Sequence, residues 1–311
     1  MPLFGRSDGD LVRGEGPVRR IMPYLMRGRN ESAVLHETVY RVAAARAWLR
    51  AYNRSHAQRA TLFHLLAYAC AQALHARPRL NRFVSGGRIW QRRGVQVAFV
   101  AKKEFTDEGA GATVKVAARP IEPFSAFSAR MAALVDEART IERAVDQEVG
   151  LIMRLPGPLV TLLVALARGL DRWNLFPAFM IRDDPMFSSL FLANLGSIGI
   201  SDVFHHLYEY GTVSIFGAVS AVRRVPLVER EGLVVVEALS VRWTFDERID
   251  DGFSGARSLQ LVQHAIEDPA RWLGPPEGEP TFRLRGAAAV GGDEGPARPE
   301  VAPPRPAEEA R

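Results

Sequence analysis

The chain has 311 residues, enough for one large or two ordinary domains, and 47% of them are apolar, ample for a buried core. Its net charge of +5, with a pI near 9.7, rests almost wholly on arginine, since the only lysines are Lys102, Lys103 and Lys115. This modest excess suits phosphorylated ligands and carries no nucleic-acid signature, while a single cysteine excludes a disulfide framework and points to a reducing, cytoplasmic setting.

In chain order, residues 1–15 are polar and glycine-rich and read as a flexible arm with no secretory signal pattern. Gly16–Met26 is basic and apolar, and Pro23 argues against a long helix there. Ala33–Arg41 alternates as a strand, and Ala43–Asn53 has a helical composition. Thr61–Ala76 is the clearest helix, with Leu62, Phe63, Leu65, Leu66, Ala69, Cys70, Ala73 and Leu74 forming a wide apolar face. Cys70 therefore reads as a buried structural thiol. Gly86-Gly87 marks a hairpin turn without the context of a phosphate loop or dinucleotide site. Strands are expected over Val95–Val100 and Ala112–Ala117, and a helix over Phe124–Val145.

Residues 149–182 differ in character. The run Leu159–Ala167 is wholly apolar but for Thr161, lies between Arg154 and Arg168, and is too short to span a bilayer, which needs about 20 residues. It is expected to pack against the core or a neighbouring subunit; lying on a membrane surface is the weaker reading. Ser188–Asn194 then forms a strand that ends in the glycine-punctuated loop Asn194-Leu195-Gly196-Ser197-Ile198-Gly199, and Val213–Val219 is another strand. Leu233–Trp243 alternates as one or two strands, and a helix follows with Phe253, Ala256, Leu259, Leu261, Val262 and Ala265 at helical spacing. Residues 274–311 are rich in Pro, Gly, Ala and Glu and read as a disordered tail.

Between that strand and that helix stands Thr244-Phe245-Asp246-Glu247-Arg248-Ile249-Asp250-Asp251-Gly252. The plain reading is a solvated charged turn with a helix cap. Yet Glu247-x-x-x-Asp251-Gly252 resembles the His-x-x-x-Asp-Gly motif of the dihydrolipoyl acyltransferase catalytic domain, found in 2-oxo acid dehydrogenase complexes and related to chloramphenicol acetyltransferase. Asn194-Leu195-Gly196 with Ile198-Gly199 is similar to that family's Ser-Asn-Leu-Gly-x-x-Gly segment. The resemblance spans residues 16–273 apart from the 149–182 insertion, and no lipoyl domain is expected.

It implies an α/β fold, a mixed sheet flanked by helices with a helical insertion. It also implies acyl transfer between thiols with coenzyme A as carrier, an acyl-CoA or other acyl-thioester substrate, and a closed homotrimer with active sites between subunits. By position, Glu247 replaces the catalytic histidine and Asp251 is retained. Arg248, Asn194, Gly196, Ser197 and Gly252 fall among the substrate-binding residues, and Ala193 stands where the family places an oxyanion-binding serine. A glutamate titrates near 4.3 against about 8.5 for a thiol, so it is a weak base unless burial and its neighbours Asp246, Asp250 and Asp251 raise its pKa. Loss of one oxyanion donor costs on the order of 100–1,000-fold in rate. His205 and His206 are candidates for a relocated base. The alternative reading is a catalytically silent scaffold or an acyl-CoA-binding subunit. No His, Cys or Asp cluster has metal-ligand spacing, and neither a nucleic-acid partner nor a membrane contact is expected.

Overall fold

The structure, a computed structural model, describes residues 5–102, 111–229 and 232–283. Its elements in order are β1 (Gly9–Leu11), α1 (Pro17–Leu25), β2 (Ala33–Arg41), α2 (Ala43–Ser55), α3 (Leu62–Ala76), β3 (Arg82–Ser85), β4 (Arg88–Arg92), β5 (Val95–Lys102) and β6 (Gly111–Ala118). They continue as α4 (Phe124–Ile152), α5 (Gly157–Arg172), α6 (Ala178–Asp183), β7 (Leu190–Asn194), β8 (Ile215–Val219), β9 (Arg223–Glu229), β10 (Gly232–Asp246), α7 (Gly252–Glu267) and α8 (Pro269–Trp272).

Seven strands form one mixed sheet in the order β2-β10-β8-β7-β5-β6, with β9 paired to the first half of β10. Strand β7 runs parallel to β5 and β8, and the other pairings are antiparallel. A small second sheet, β1-β4-β3, stands beside it. The main core lies on the helical side of the large sheet, where Tyr40, Leu66, Val97, Phe124, Leu192, Val241 and Val262 share one cluster. Helix α3 is its axle. Thr61 Oγ1 accepts from the His64 backbone N–H, His64 Nδ1 accepts from the Thr61 N–H, and residues 65–74 are buried without a break. Cys70 lies inside this run, and burial pushes its thiol well above the usual range. The opposite face carries a smaller cluster, Ala98, Phe191, Leu207, Val213 and Phe216.

Two expectations need correction. Part of the presumed arm is ordered: β1 pairs with β4, and Arg6 is buried against Asp8 and Asp171, each at 2.8 Å. Helix α1 is short, 9 residues, in keeping with Pro23: Pro17 pre-sets its first turn and Pro23 falls in its last, where it costs one backbone bond. The start of the presumed tail belongs to the domain. Trp48 Nε1 donates to the Gly274 carbonyl, Thr281 bridges to Pro123, and Phe282 is buried. The remainder of that tail, 284–311, lies outside the described residues. The insertion is helical as expected; Phe176 and Ile181 are buried beside Phe187, whereas α5 itself has no buried residue. Its leucines 159, 162, 163, 166 and 170 make one solvent-facing stripe, each 40–53% exposed. Ala167, on another side of the helix, packs against Phe176, Ile181 and Phe187.

Candidate functional site

The turn after β10 is held from within. Arg248 forks onto Asp246, Nε to Oδ1 at 2.8 Å and Nη2 to Oδ2 at 2.7 Å, and both side chains are fully buried. Ser32 Oγ adds a third bond to Asp246, while Arg248 Nη1 donates to the Met26 and Arg27 carbonyls at 3.0 and 3.2 Å. Breaking one partner of such a pair typically costs about 3–5 kcal/mol, so this fork fixes the turn. The turn is therefore not a solvated charged loop.

The other acids have separate duties. Asp250 is buried and meets Arg79 Nε at 3.2 Å, and Asp251 Oδ1 caps α7 by accepting from the Ser254 N–H at 2.9 Å. Gly252 is the first residue of α7. Glu247, half-buried, is set by its backbone: its N–H donates to Ser32 O and its carbonyl accepts from Arg19 Nη1 at 2.7 Å. Its carboxylate has no hydrogen-bond partner among the described residues. Arg19, Ser32 and the Met26–Arg27 carbonyls escaped the sequence reading because more than 200 residues separate them from the turn, and no spacing rule links them.

The Asn-Leu-Gly segment ends β7. A Cβ on Gly196 would sit 2.4 Å from the Ser220 carbonyl oxygen, so close packing demands the glycine. Ser197 Oγ donates to the Asn194 carbonyl at 2.7 Å. Ala193 packs against the smaller cluster, over which His205 also lies, its ring stacked on Phe216 at 4.0 Å. His205 Nδ1 pairs with the His206 carbonyl at 2.7 Å, and burial lowers its pKa below the ordinary histidine value. Thr244 Oγ1 donates to the His205 carbonyl.

Register decides which residues meet. Asn194 pairs with Val219, and Val219 with Val241, whereas Glu247 stands six residues further along the chain from Val241. At about 3.4 Å per residue, the two motifs lie on the order of 20 Å apart along the strand direction, at opposite ends of the sheet. Glu247, Arg248, Asp251 and Gly252 share one end; Asn194, Gly196 and Ser197 share the other. Within one chain they do not form one site. Among the described residues no group of His, Cys, Asp or Glu could hold a metal ion, and no helix is long and apolar enough to cross a membrane.

Residues 182–274 match the family model of the 2-oxoacid dehydrogenases acyltransferase (catalytic domain). The chain resembles that acyltransferase family. A probable dihydrolipoamide acetyltransferase from Listeria monocytogenes superposes with a TM-score of 0.54 at 14% identity, covering 83% of this chain and 95% of its own. The dihydrolipoamide acetyltransferase of Azotobacter vinelandii, studied for a serine, a histidine and an asparagine in its catalytic mechanism, gives 0.54 at 16%, covering 84% and 93%. Chloramphenicol acetyltransferase superposes more loosely, with a TM-score of 0.48 at 13% identity over 84% of this chain and 98% of its own. No curated protein matches the chain. The fold is the mixed-sheet α/β fold of the dihydrolipoamide acetyltransferases, and residues 182–274 resemble an acyltransferase catalytic domain.

Proposed function

We propose that this chain is a cytoplasmic, coenzyme A-linked acyltransferase that moves acyl groups between thiols. We place its site between copies of a homotrimer, joining the Glu247 end of one sheet to the Asn194 end of the next. The observation that carries the reading is the placement of Glu247, a carboxylate with no hydrogen-bond partner among the described residues, on a turn locked by the buried Asp246–Arg248 fork. In the Azotobacter vinelandii enzyme the histidine and asparagine with a role in catalysis stand four positions apart, the interval between Glu247 and Asp251.

In this reading Glu247 accepts the proton of the attacking thiol. The thiolate sulfur forms a bond to the thioester carbonyl carbon, the tetrahedral intermediate expels the second sulfur as the old C–S bond breaks, and the proton returns to that thiolate. Asp251 holds the start of α7, and Arg248 acts through Asp246 as a positioning residue rather than as a free cation.

A second reading, a silent scaffold or acyl-CoA-binding subunit, is favoured by the oxyanion side. Ala193 offers no side-chain donor, and the nearby hydroxyls of Ser197 and Thr244 already donate to backbone carbonyls. Thioester exchange over a panel of acyl-CoA substrates separates the two. Glu247→Gln should lose about 100-fold to 10,000-fold in turnover while keeping fold and coenzyme A binding. Equal rates in wild type and variant remove Glu247 as the base. If wild type is inactive, and the double variant Glu247→His with Ala193→Ser is inactive too, the silent reading stands.

A further inference from the structure

Beside the Arg248 turn lies a cavity of about 590 Å3, within the range that takes small-molecule ligands. Its walls come from segments distant in sequence: residues 23–29, the β3–β4 turn, the end of α5, Phe187, residues 209–211 and Arg248 itself. Gly86 closes the wall against α5. It has φ +59°, and a Cβ there would meet the Arg172 carbonyl oxygen at 2.4 Å, so no side chain fits between turn and helix.

The lining is strongly basic. Arg27, Arg29, Arg168, Arg172 and Arg248 face two acids, Asp171 and Glu209. Both acids are engaged elsewhere: Asp171 meets Arg6 at 2.8 Å, and Glu209 Oε1 accepts from the backbone and side chain of Asn30, each at 3.1 Å. Arg248 is neutralised by Asp246. Buried Arg29 donates to the Tyr208, Glu209 and Val84 carbonyls, and the carboxylates of Asp246, Asp171 and Glu209 partly offset its charge. The exposed side chains of Arg27, Arg168 and Arg172 have no ion pair or hydrogen bond among the described residues. Two of these sit at the C-terminus of α5, where the helix dipole favours cations. That does not account for Arg27 and Arg29, which reach the same cavity from another segment. Uncompensated arginines around a walled cleft concentrate positive potential, and the guanidinium fork matches phosphate oxygens two at a time.

We propose that this cavity binds a phosphate-bearing ligand, with Arg27, Arg168 and Arg172 as its phosphate-binding side chains. Under the proposed transfer reaction that ligand is the phosphorylated end of a coenzyme A thioester; this second step rests on the transfer reading, and the first does not.

Calorimetric titration of the full chain with coenzyme A, phosphate-free pantetheine and ADP tests it, with wild type set against the double variant Arg168→Gln, Arg172→Gln. Both positions are exposed, and circular dichroism checks that the variant is folded. Coenzyme A should bind wild type at least about tenfold more tightly than pantetheine. The preference should vanish in the variant, and ADP should compete. Equal binding of coenzyme A and pantetheine, a preference that survives the double substitution, or no binding of coenzyme A and ADP would each overturn the site. ADP binding through these arginines without coenzyme A binding would keep the phosphate site and remove coenzyme A as its ligand. Arginine-dependent binding of coenzyme A without thioester exchange would remove the transfer reading and leave the site. Exchange by wild type with no preference for coenzyme A over pantetheine would do the reverse.

Discussion

Helices α3 and α5 are nearly the same length, 15 and 16 residues, and both are built largely of leucine and alanine. One is buried without a break from Leu65 to Leu74; the other has no buried residue. Apolar composition favours the helix in both cases, but burial depends on what the rest of the chain brings alongside. Around α3 the sheet, α4 and α7 supply apolar surface. Around α5 the anchors are mainly polar: Arg6 to Asp171, and Ser85 Oγ to the Asp171 carbonyl and carboxylate, at 2.8–3.2 Å. Its leucine stripe at i, i+3, i+4, i+7 and i+11 points to solvent, with Arg168 on a different side of the helix.

The comparison can be broken in three ways. Leu66→Ala in α3 should cost about 2–5 kcal/mol in urea denaturation, because the site cannot collapse around the lost side chain. A smaller effect comes from the anchor beyond α5. Lys115 Nζ donates to the Ile181 and Asp184 carbonyls at 2.9 and 3.1 Å, and burial, with Arg92 nearby, pushes its pKa down to about 8. The unfolded chain then holds more protons between pH 8 and the ordinary lysine value of 10.5. Stability should therefore rise with pH from 8 to 9.5, by at most about 1.4 kcal/mol per pH unit. That slope should be absent in Lys115→Met; an unchanged slope would assign it elsewhere. Leu162→Ala should be the smallest, within about 0.5 kcal/mol of wild type. A loss matching that of Leu66→Ala would mean that α5 is covered in solution.

Much of the fold was legible because it rests on local periodicity. Strand β2 has the expected bounds, and α3 begins one residue after the predicted start, where Thr61 serves as cap. What escaped depends on distant partners. Three residues of β1 carry no period, and Phe282 becomes a core residue only because Tyr68 and Trp272 stand beside it. The candidate turn was visible as a cluster of charges, but its burial was not, since Ser32 and the carbonyls of Met26 and Arg27 complete it from the other end of the chain. The close approach of the Gly196 backbone to Ser220, which leaves no room for a side chain, was likewise invisible.

The separation of Glu247 from Asn194 gives the account its most direct test. Two inactive variants are prepared, Glu247→Gln at one end of the sheet and Asn194→Trp to fill the other, and they are co-expressed and assayed for thioester exchange. If the site joins two copies, random mixing leaves about one quarter of interfaces with both halves intact, and about one quarter of wild-type activity returns. Mixed oligomers as inactive as either parent would contradict a site shared between copies.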